Sequence, residues 1–339
     1  RHVEIRAVDI GFGFTKTTDG RSYPAFKSIF GEATDIQYRS QLLRNVSQEP
    51  YLHLEVDGEL LFVGDLAERQ SKVRAFTLDQ HQFISKFAKI LALSGLSLVD
   101  NTEDPINLVT GLPVVYYRQH LEELSEILQG RHTLRMIDPQ GNVTDRAFNI
   151  ENVKVVPQPF GSVFDKIFND IGKASEKRFL EEKIGIIDIG FRTVDYTICD
   201  RTRYSQRGSL TTDAGIAKGF AMVAAALQEK SGIDVELYRL HEAITKGSIK
   251  IRGKVYDLTA IVEHAFKQLA TAIATEVDRA WADDWDIDCI VLTGGGSHVL
   301  GSHIKPLLEG EVIETTAGED ARLNNVRGYW KYGQHLWNK

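Results

Sequence analysis

The stretch VDIGFGFTKTTDG, residues 8–20, has a counterpart half a chain later in IIDIGFRTVDYTICD, residues 186–200. In each copy an aspartate, Asp9 or Asp188, lies at the end of an apolar run that predicts a buried strand. A glycine follows two residues later, and a second run of strand-forming residues comes after it. We therefore expect two hairpins of one design, each beginning its own α/β domain.

The order of predicted elements after each hairpin supports this division. Strands and helices alternate in both halves, and a charged segment at residues 172–183 separates them. We place the first domain at residues 1–172 and the second at residues 184–325. A long amphipathic helix is predicted for residues 258–281, and a last helix at residues 326–339 is expected to pack back on the first domain.

Composition narrows the classes of function. The chain has 339 residues and a formal net charge of −7, which argues against broad contacts with a nucleic-acid backbone. No apolar run approaches the ~18 residues of a membrane helix, and the first residues show no signal-peptide pattern. Cys199 and Cys289 belong to no Cys-x-x-Cys pair and are expected to be buried free thiols. These features indicate a cytoplasmic protein that does not bind DNA directly.

The two glycine turns are suited to binding phosphate. A glycine-rich turn directly after a buried strand lets backbone N–H groups approach phosphate oxygens that a side chain would block. The aspartate at each strand end can hold Mg²⁺ through its water shell, and Lys16 can neutralise a phosphate. Either copy alone could also be an ordinary hairpin with a tight turn. Two copies together favour a phosphate chain and its Mg²⁺ held from both sides.

A third glycine turn follows a strand in VLTGGGSHVLGSHI, residues 291–304. A flat base or ribose can lie against bare backbone where a strand runs through glycines into a helix. The chain contains no Walker A string. It lacks a dinucleotide fingerprint too, because strands and not helices are predicted after the first two turns.

The order DIGFGFTK, DIGFRTVD, LTGGGS resembles the phosphate-1, phosphate-2 and adenosine motifs of the actin, sugar-kinase and heat-shock-chaperone ATPase superfamily. Within it, the chain is most similar to prokaryotic actin-like proteins of the plasmid-segregating ParM type. The resemblance implies a duplicated two-domain α/β fold, actin-like and ribonuclease-H-like, with a central nucleotide cleft. It also implies ATP or ADP, or GTP in their place, together with Mg²⁺.

Site residues follow from the same resemblance. Asp9 and Asp188 would position Mg²⁺ through water, and Gln158, in VKVVPQPFGSV, would orient the attacking water and give slow hydrolysis. The alternative for Gln158 is a polar loop residue between two prolines, and Arg192 could contact phosphate or point to solvent. The nucleotide would be bound by Gly11, Phe12, Gly13, Phe14 and Lys16, by Gly190, Phe191, Arg192, Thr193 and Asp195, and by Gly294, Gly295, Gly296 and Ser297.

The function implied is a filament-forming ATPase that assembles with ATP and disassembles after hydrolysis. Its partners would be further copies of itself and a DNA-bound adaptor protein, with plasmid segregation or intracellular organisation as the role. Residues 28–50 are predicted to form an irregular loop, and residues 28–51 are a candidate filament contact. A small-molecule kinase of the same superfamily and a non-polymerising ATP-dependent scaffold remain as alternatives.

Overall fold

The computed structural model describes residues 2–11, 13–33, 49–71, 74–76, 87–100, 102–314 and 323–338. It divides into two compact units. The first consists of Arg1–Leu180 together with Leu323–Lys339, and the second consists of Glu181–Arg322. Within this described part of the chain, no helix is both long enough and apolar enough to span a membrane. Both cysteines are buried and free, as predicted, and burial raises the pKa of the Cys199 thiol to about 12.

Strands and helices alternate along both units, with hairpins between many of the strands. The strands are β1 (Glu4–Ile10), β2 (Phe14–Thr18), β3 (Ala25–Lys27), β4 (Ile29–Glu32), β5 (Leu52–Val56), β6 (Glu59–Val63), β7 (Arg74–Phe76), β8 (Pro105–Leu112), β9 (Gly130–Ile137), β10 (Val143–Pro157), β11 (Lys183–Ile189), β12 (Val194–Asp200), β13 (Arg203–Thr212), β14 (Ser248–Ile251), β15 (Lys254–Asp257), β16 (Cys289–Thr293) and β17 (Val312–Ile313). The helices are α1 (Asp65–Gln70), α2 (Ala88–Val99), α3 (Val114–Leu128), α4 (Phe160–Ile167), α5 (Arg178–Glu181), α6 (Ile216–Ser231), α7 (Leu237–Lys246), α8 (Thr259–Ala280), α9 (Gly295–Ile304) and α10 (Asn324–Trp337).

One strand topology occurs twice. The first unit contains the order β3-β2-β1-β8-β10, and the second contains β13-β12-β11-β16-β17. In both, each of the first three strands is antiparallel to its neighbour among them, and the last three strands run parallel. The central strands β1 and β11 are buried along nearly their whole length, as strands with neighbours on both edges and covered faces require. The predicted duplication of an α/β design is confirmed at this level.

The first unit extends its sheet beyond this shared arrangement. Strand β10 is long enough to pair twice, antiparallel with β9 through its first half and parallel with β8 through its second. A register shift between Ile150 and Asn152 marks the change of partner. Beyond β9 the sheet continues through β5, β6, β4 and β7 to ten strands. Strand β4 corrects the prediction of an irregular loop from residue 28, while residues 34–48 of the candidate filament contact lie outside the described residues.

The second unit is built around its long helix. Helix α8 spans most of the predicted segment and buries Phe266, Leu269, Ile273 and Val277 on one face. These residues join a core with Tyr196 of β12 and apolar residues of β11, β16 and α6. The 3.6-residue spacing of its apolar side chains accounts for the helix and for the direction in which it packs.

The last helix, α10, packs on α4 and β1 of the first unit. The two helices meet at glycines, since a Cβ on Gly328 would lie 1.6 Å from the carbonyl oxygen of Gly161. Beside this contact, the Arg327 guanidinium donates to both carboxylate oxygens of Asp165 at 2.8 and 2.9 Å. Lys331 Nζ lies 2.8 Å from the same carboxylate. Close backbone approach and a largely buried ion pair together hold the C-terminal helix on α4.

Replacing Arg327 tests how much this ion pair contributes. Arg327→Met removes the guanidinium from the buried Asp165 carboxylate and leaves the pair with Lys331. We expect the free energy of unfolding to fall by about 2–3 kcal/mol. Urea unfolding followed by circular dichroism measures the change. The matched control is Arg279→Met, which breaks an exposed Arg–Glu pair with Glu276 on α8 and should leave the midpoint unchanged. Equal effects of the two substitutions would contradict a stabilising role for the buried pair.

Candidate functional site

The β1–β2 turn of the first unit is held on both sides by backbone hydrogen bonds. The Gly11 N–H donates to the Phe14 carbonyl at 3.0 Å, and a Cβ on Gly11 would lie 2.7 Å from that oxygen. The Ser28 N–H donates to the Gly13 carbonyl at 2.9 Å, and the Ser28 and Thr15 hydroxyls are hydrogen bonded at 2.9 Å. The turn therefore needs glycine at residue 11 and is supported by the chain that precedes β4.

Asp9 lies at the base of this turn with two polar neighbours. Its side chain is almost fully buried, and its Oδ1 accepts a hydrogen bond from Gln158 Nε2 at 2.6 Å. Lys16 is directly opposite Asp9 in the β1–β2 ladder, and its Nζ lies 4.0 Å from Asp9 Oδ2. A buried carboxylate is costly unless it is paired or hydrogen bonded. The predicted residues Asp9, Lys16 and Gln158 are thus brought together.

The backbone of Gln158 is fixed by three hydrogen bonds. Its N–H donates to the Leu112 carbonyl at 2.8 Å. Its carbonyl accepts from the Gly161 N–H at 3.2 Å and from the Tyr329 hydroxyl at 3.1 Å. Since Gln158 is also buried, both its backbone and its amide have defined partners. A polar loop residue between two prolines would not need to be buried or to have partners for both its backbone and its amide.

The β11–β12 turn of the second unit closes in the same way as the first. The Gly190 N–H donates to the Thr193 carbonyl at 2.9 Å, the counterpart of the bond from Gly11 to Phe14. At its tip the Phe191 and Arg192 residues are exposed. The two copies of the sequence motif therefore form turns with one hydrogen-bonding pattern and with strands on either side, as predicted.

The start of helix α6 supports this second turn. Three successive N–H groups of the helix start donate to its carbonyl groups, Gly215 to Arg192 at 3.1 Å, Ile216 to Gly190 at 3.1 Å and Ala217 to Phe191 at 2.7 Å. A Cβ on Gly215 would lie 2.3 Å from the Arg192 carbonyl carbon, so the helix can approach only with glycine there. The N–H groups that a helix start leaves without intrahelical partners are in this way used to hold the turn.

Asp188 occupies the position of Asp9 but has a different neighbour. Asp195 is directly opposite it in the β11–β12 ladder, where the first unit has Lys16 opposite Asp9. Both aspartates are buried, and the Thr211 hydroxyl donates to Asp195 Oδ1 at 2.5 Å. Like charges directly opposite each other in a sheet are unfavourable. The second unit therefore places two carboxyl groups opposite each other where the first unit has an aspartate opposite a lysine.

The glycine triplet after β16 lies against the end of β11. Gly294 has a φ of +85°, and a Cβ on it would lie 2.3 Å from Asp188 Oδ1. A Cβ on Gly296 would lie 2.3 Å from the Cγ2 of Ile189. These two glycines are required by close packing within the second unit, whatever ligand they also contact.

The middle glycine of this segment is more exposed to solvent than the other two. Gly295 is the first residue of α9 and is partly exposed, unlike Gly294 and Gly296. The Ser297 hydroxyl donates to the Gly294 carbonyl at 2.7 Å, which stabilises the start of the helix. Of the four predicted adenosine contacts, Gly295 is thus the one with backbone most open to a ligand.

The predicted site residues divide between the two units. In the first they surround Asp9, with Phe12 lying outside the described residues. In the second they surround Asp188. Sequence reasoning missed the residues that support these groups, namely Ser28, Thr211, Gly215 and Tyr329. Only Gly215 carried a local signal, as a glycine directly before an apolar helix.

Both units match family models. Residues 7–161 match the N-terminal domain of actin-like proteins, and residues 186–306 match the C-terminal domain of the archaeal actin homologue, MreB-like. The chain belongs to the actin-like proteins. No curated protein matches its sequence.

Solved structures of actin-like proteins share the fold over the whole chain. A non-polymerisable quadruple mutant of pCBH ParM is 25% identical, with a TM-score of 0.75, covering 99% of this chain and 100% of that one. ParM in a 15-stranded filament from Clostridium botulinum is 24% identical, with a TM-score of 0.77 and the same coverage. Ta0583, an archaeal actin homolog solved with ADP, is 17% identical, with a TM-score of 0.78, covering 98% and 99%. The predicted resemblance to ParM-type actin-like proteins is confirmed.

The contact between Gly294 and Asp188 can be tested by adding one methyl group. Gly294→Ala and Gly310→Ala both place alanine at a positive φ, +85° and +86°, which should cost about 1–2 kcal/mol of backbone strain at Gly310. The strain at Gly294 should be at least as large, because its ψ of 165° is adopted almost only by glycine. Among the described residues other than its chain neighbours, none has an atom within 4 Å of a Cβ on Gly310. Gly294→Ala should cost a further ~1–3 kcal/mol because its methyl group clashes with Asp188 and Ile189. Urea unfolding measures both, and equal losses would contradict the close contact.

Proposed function

We propose that this actin-like protein binds and hydrolyses ATP, assembles into filaments in its ATP-bound form and disassembles after hydrolysis. The observation that supports the proposal is that the same strand–aspartate–glycine-turn arrangement occurs in both units. In each unit a buried aspartate at the end of the central strand precedes a glycine turn closed by one backbone hydrogen bond, from Gly11 to Phe14 and from Gly190 to Thr193. A fold that builds such a turn twice supports binding to a ligand with several phosphate oxygens.

The backbone of each turn supplies the phosphate contacts in this proposal. Small residues let N–H groups approach phosphate oxygens, and such concavities of N–H groups bind anions. Lys16 is held near Asp9 at 4.0 Å, so it would add positive charge at the first turn. In the second turn, the backbone of Gly190, Phe191 and Thr193 would likewise contact phosphate, and Gly295 with its neighbours would contact the adenosine.

In this proposal Asp9 and Asp188 would each contact magnesium through its water shell. Both carboxylates are buried beside a glycine turn, and the acidic pair of Asp188 with Asp195 favours a nearby cation. Magnesium would supply neutralisation of the phosphate charge. Gln158 would orient the attacking water through its amide, which the hydrogen bond to Asp9 holds in place. An amide is a poor base, so hydrolysis should be slow.

The family supports self-association and nucleotide binding. The Clostridium botulinum ParM was solved as a filament, Ta0583 with ADP, and a Bacillus thuringiensis ParM with AMPPNP. For this chain we propose the same two properties, with further copies of itself as partners. The net charge of −7 favours a DNA-bound adaptor over direct DNA contact, in a cytoplasmic role such as plasmid segregation.

Light scattering and phosphate release, followed together, test the proposal. With Mg²⁺ and ATP we expect scattering to rise above a critical protein concentration and to decay as phosphate appears. Asp188→Ala should abolish both signals, because it removes a carboxylate that positions Mg²⁺. Asp286→Ala is the matched control, since Asp286 is an exposed aspartate of the same unit that pairs with Lys183. It should behave as wild type.

Other results would point to the alternatives. Phosphate release with flat scattering would favour a non-polymerising scaffold, and phosphate transfer to an added small molecule would favour a kinase. Unchanged turnover of Asp188→Ala would contradict the assignment of the site. Repeating the titration with GTP and ADP measures the nucleotide preference.

The role of Gln158 predicts a separation of hydrolysis from binding. Gln158→Ala should lower the rate of hydrolysis about 10- to 100-fold, the usual scale for losing a group that positions a reactant. The dissociation constant of a fluorescent ATP analogue should stay within about twofold, because the amide is proposed to contact water and not the nucleotide. The control Gln140→Ala, at an exposed turn, should change neither. An equal loss of binding and hydrolysis would make Gln158 a structural residue.

A further inference from the structure

We infer that Tyr329, on the C-terminal helix α10, is a positioning residue for Gln158. This inference rests on the proposed function, because it concerns the step in which Gln158 orients the attacking water. Tyr329 lies 171 positions away from Gln158 in sequence, and its hydroxyl donates to the Gln158 carbonyl at 3.1 Å. The side chain of Tyr329 is fully buried. A buried tyrosine hydroxyl usually finds a hydrogen-bond partner.

Two glycines make the space that the Tyr329 side chain occupies. A Cβ on Gly111 of β8 would lie 2.1 Å from the hydroxyl oxygen, so this glycine makes room for it. A Cβ on Gly161 of α4 would lie 2.7 Å from the tyrosine ring at Cε1. Two glycines from different elements thus form a slot for one side chain. The slot ends at the Gln158 carbonyl, which accepts a hydrogen bond from the tyrosine hydroxyl.

The hydrogen bond acts on the orientation of the Gln158 peptide. The Gln158 N–H is held by the Leu112 carbonyl and its carbonyl by Gly161 and Tyr329. Fixing both groups sets the direction in which the side chain leaves the backbone, and the amide then reaches Asp9 Oδ1 at 2.6 Å. Displacements of about 1 Å in a positioning group can change a rate by about two orders of magnitude. Tyr329 therefore influences the amide without contacting the nucleotide.

Helix α10 is anchored firmly enough for this purpose. Gly328 meets Gly161 backbone to backbone, and Arg327 forms a bidentate pair with Asp165. Helix α4, which carries both partners, begins two residues after Gln158. The C-terminal helix and the Gln158 loop are consequently parts of one packed assembly. The hydroxyl position is determined by that packing.

Removal of one oxygen atom tests the inference. Tyr329→Phe keeps the ring and should lower the rate of ATP hydrolysis about three- to tenfold, the scale of one lost hydrogen bond. The dissociation constant of a fluorescent ATP analogue should stay within about twofold. The matched control is Tyr332→Phe on the same helix, whose ring stacks on Phe164 at 4.2 Å and keeps that contact as phenylalanine. Circular dichroism establishes that both variants are folded.

A double-mutant cycle separates positioning from general structural support. If Tyr329 acts through Gln158, Tyr329→Phe should not lower the rate further when Gln158→Ala is already present. A full additional loss in that background would overturn the inference, as would equal rates for wild type and Tyr329→Phe. Turnover by the wild type distinguishes these results from failure of the proposed function. A wild type without ATP hydrolysis would overturn the proposed function and this inference together.

Discussion

Burial of a carboxylate at the end of each central strand is the constraint on which the rest of the site depends. An ionised carboxylate removed from water costs several kcal/mol unless charges or hydrogen bonds compensate it. For Asp9 the compensation comes from the Gln158 amide and from Lys16. These partners arrive from the end of β10 and from β2, so satisfying one charge brings three segments of the first unit together. The chain reverses directly after this strand in a turn that needs glycine at residue 11, where a Cβ would lie 2.7 Å from the Phe14 carbonyl oxygen.

The same constraint is met differently in the second unit. There the position opposite the central aspartate holds Asp195 in place of lysine, and Thr211 donates to it from the neighbouring strand. Helix α6 supplies three N–H groups to the turn. One topology therefore carries an aspartate opposite a lysine in the first unit and an aspartate opposite a second aspartate in the other.

The C-terminal helix connects the fold of the first unit to its chemistry. Its packing on α4 depends on two facing glycines and on the Arg327–Asp165 pair, and its Tyr329 reaches the Gln158 carbonyl. A helix that would otherwise only cover the sheet thus contributes to the position of a proposed water-orienting amide. In this proposal, the packing that holds α10 on α4 also sets the position of the Tyr329 hydroxyl.

The sequence by itself determined the local parts of this protein. The apolar runs predict the strands, and the glycines directly after them predict the turns. The 3.6-residue period of apolar residues predicts α8. These patterns depend on neighbouring residues alone. Their repetition was enough to predict a duplicated α/β fold. Only the tertiary structure brought Gln158 to Asp9 across 149 positions and Tyr329 to Gln158 across 171. Such contacts are set by strand order and helix packing, which place distant segments side by side, and no local pattern encodes which polar groups will then meet.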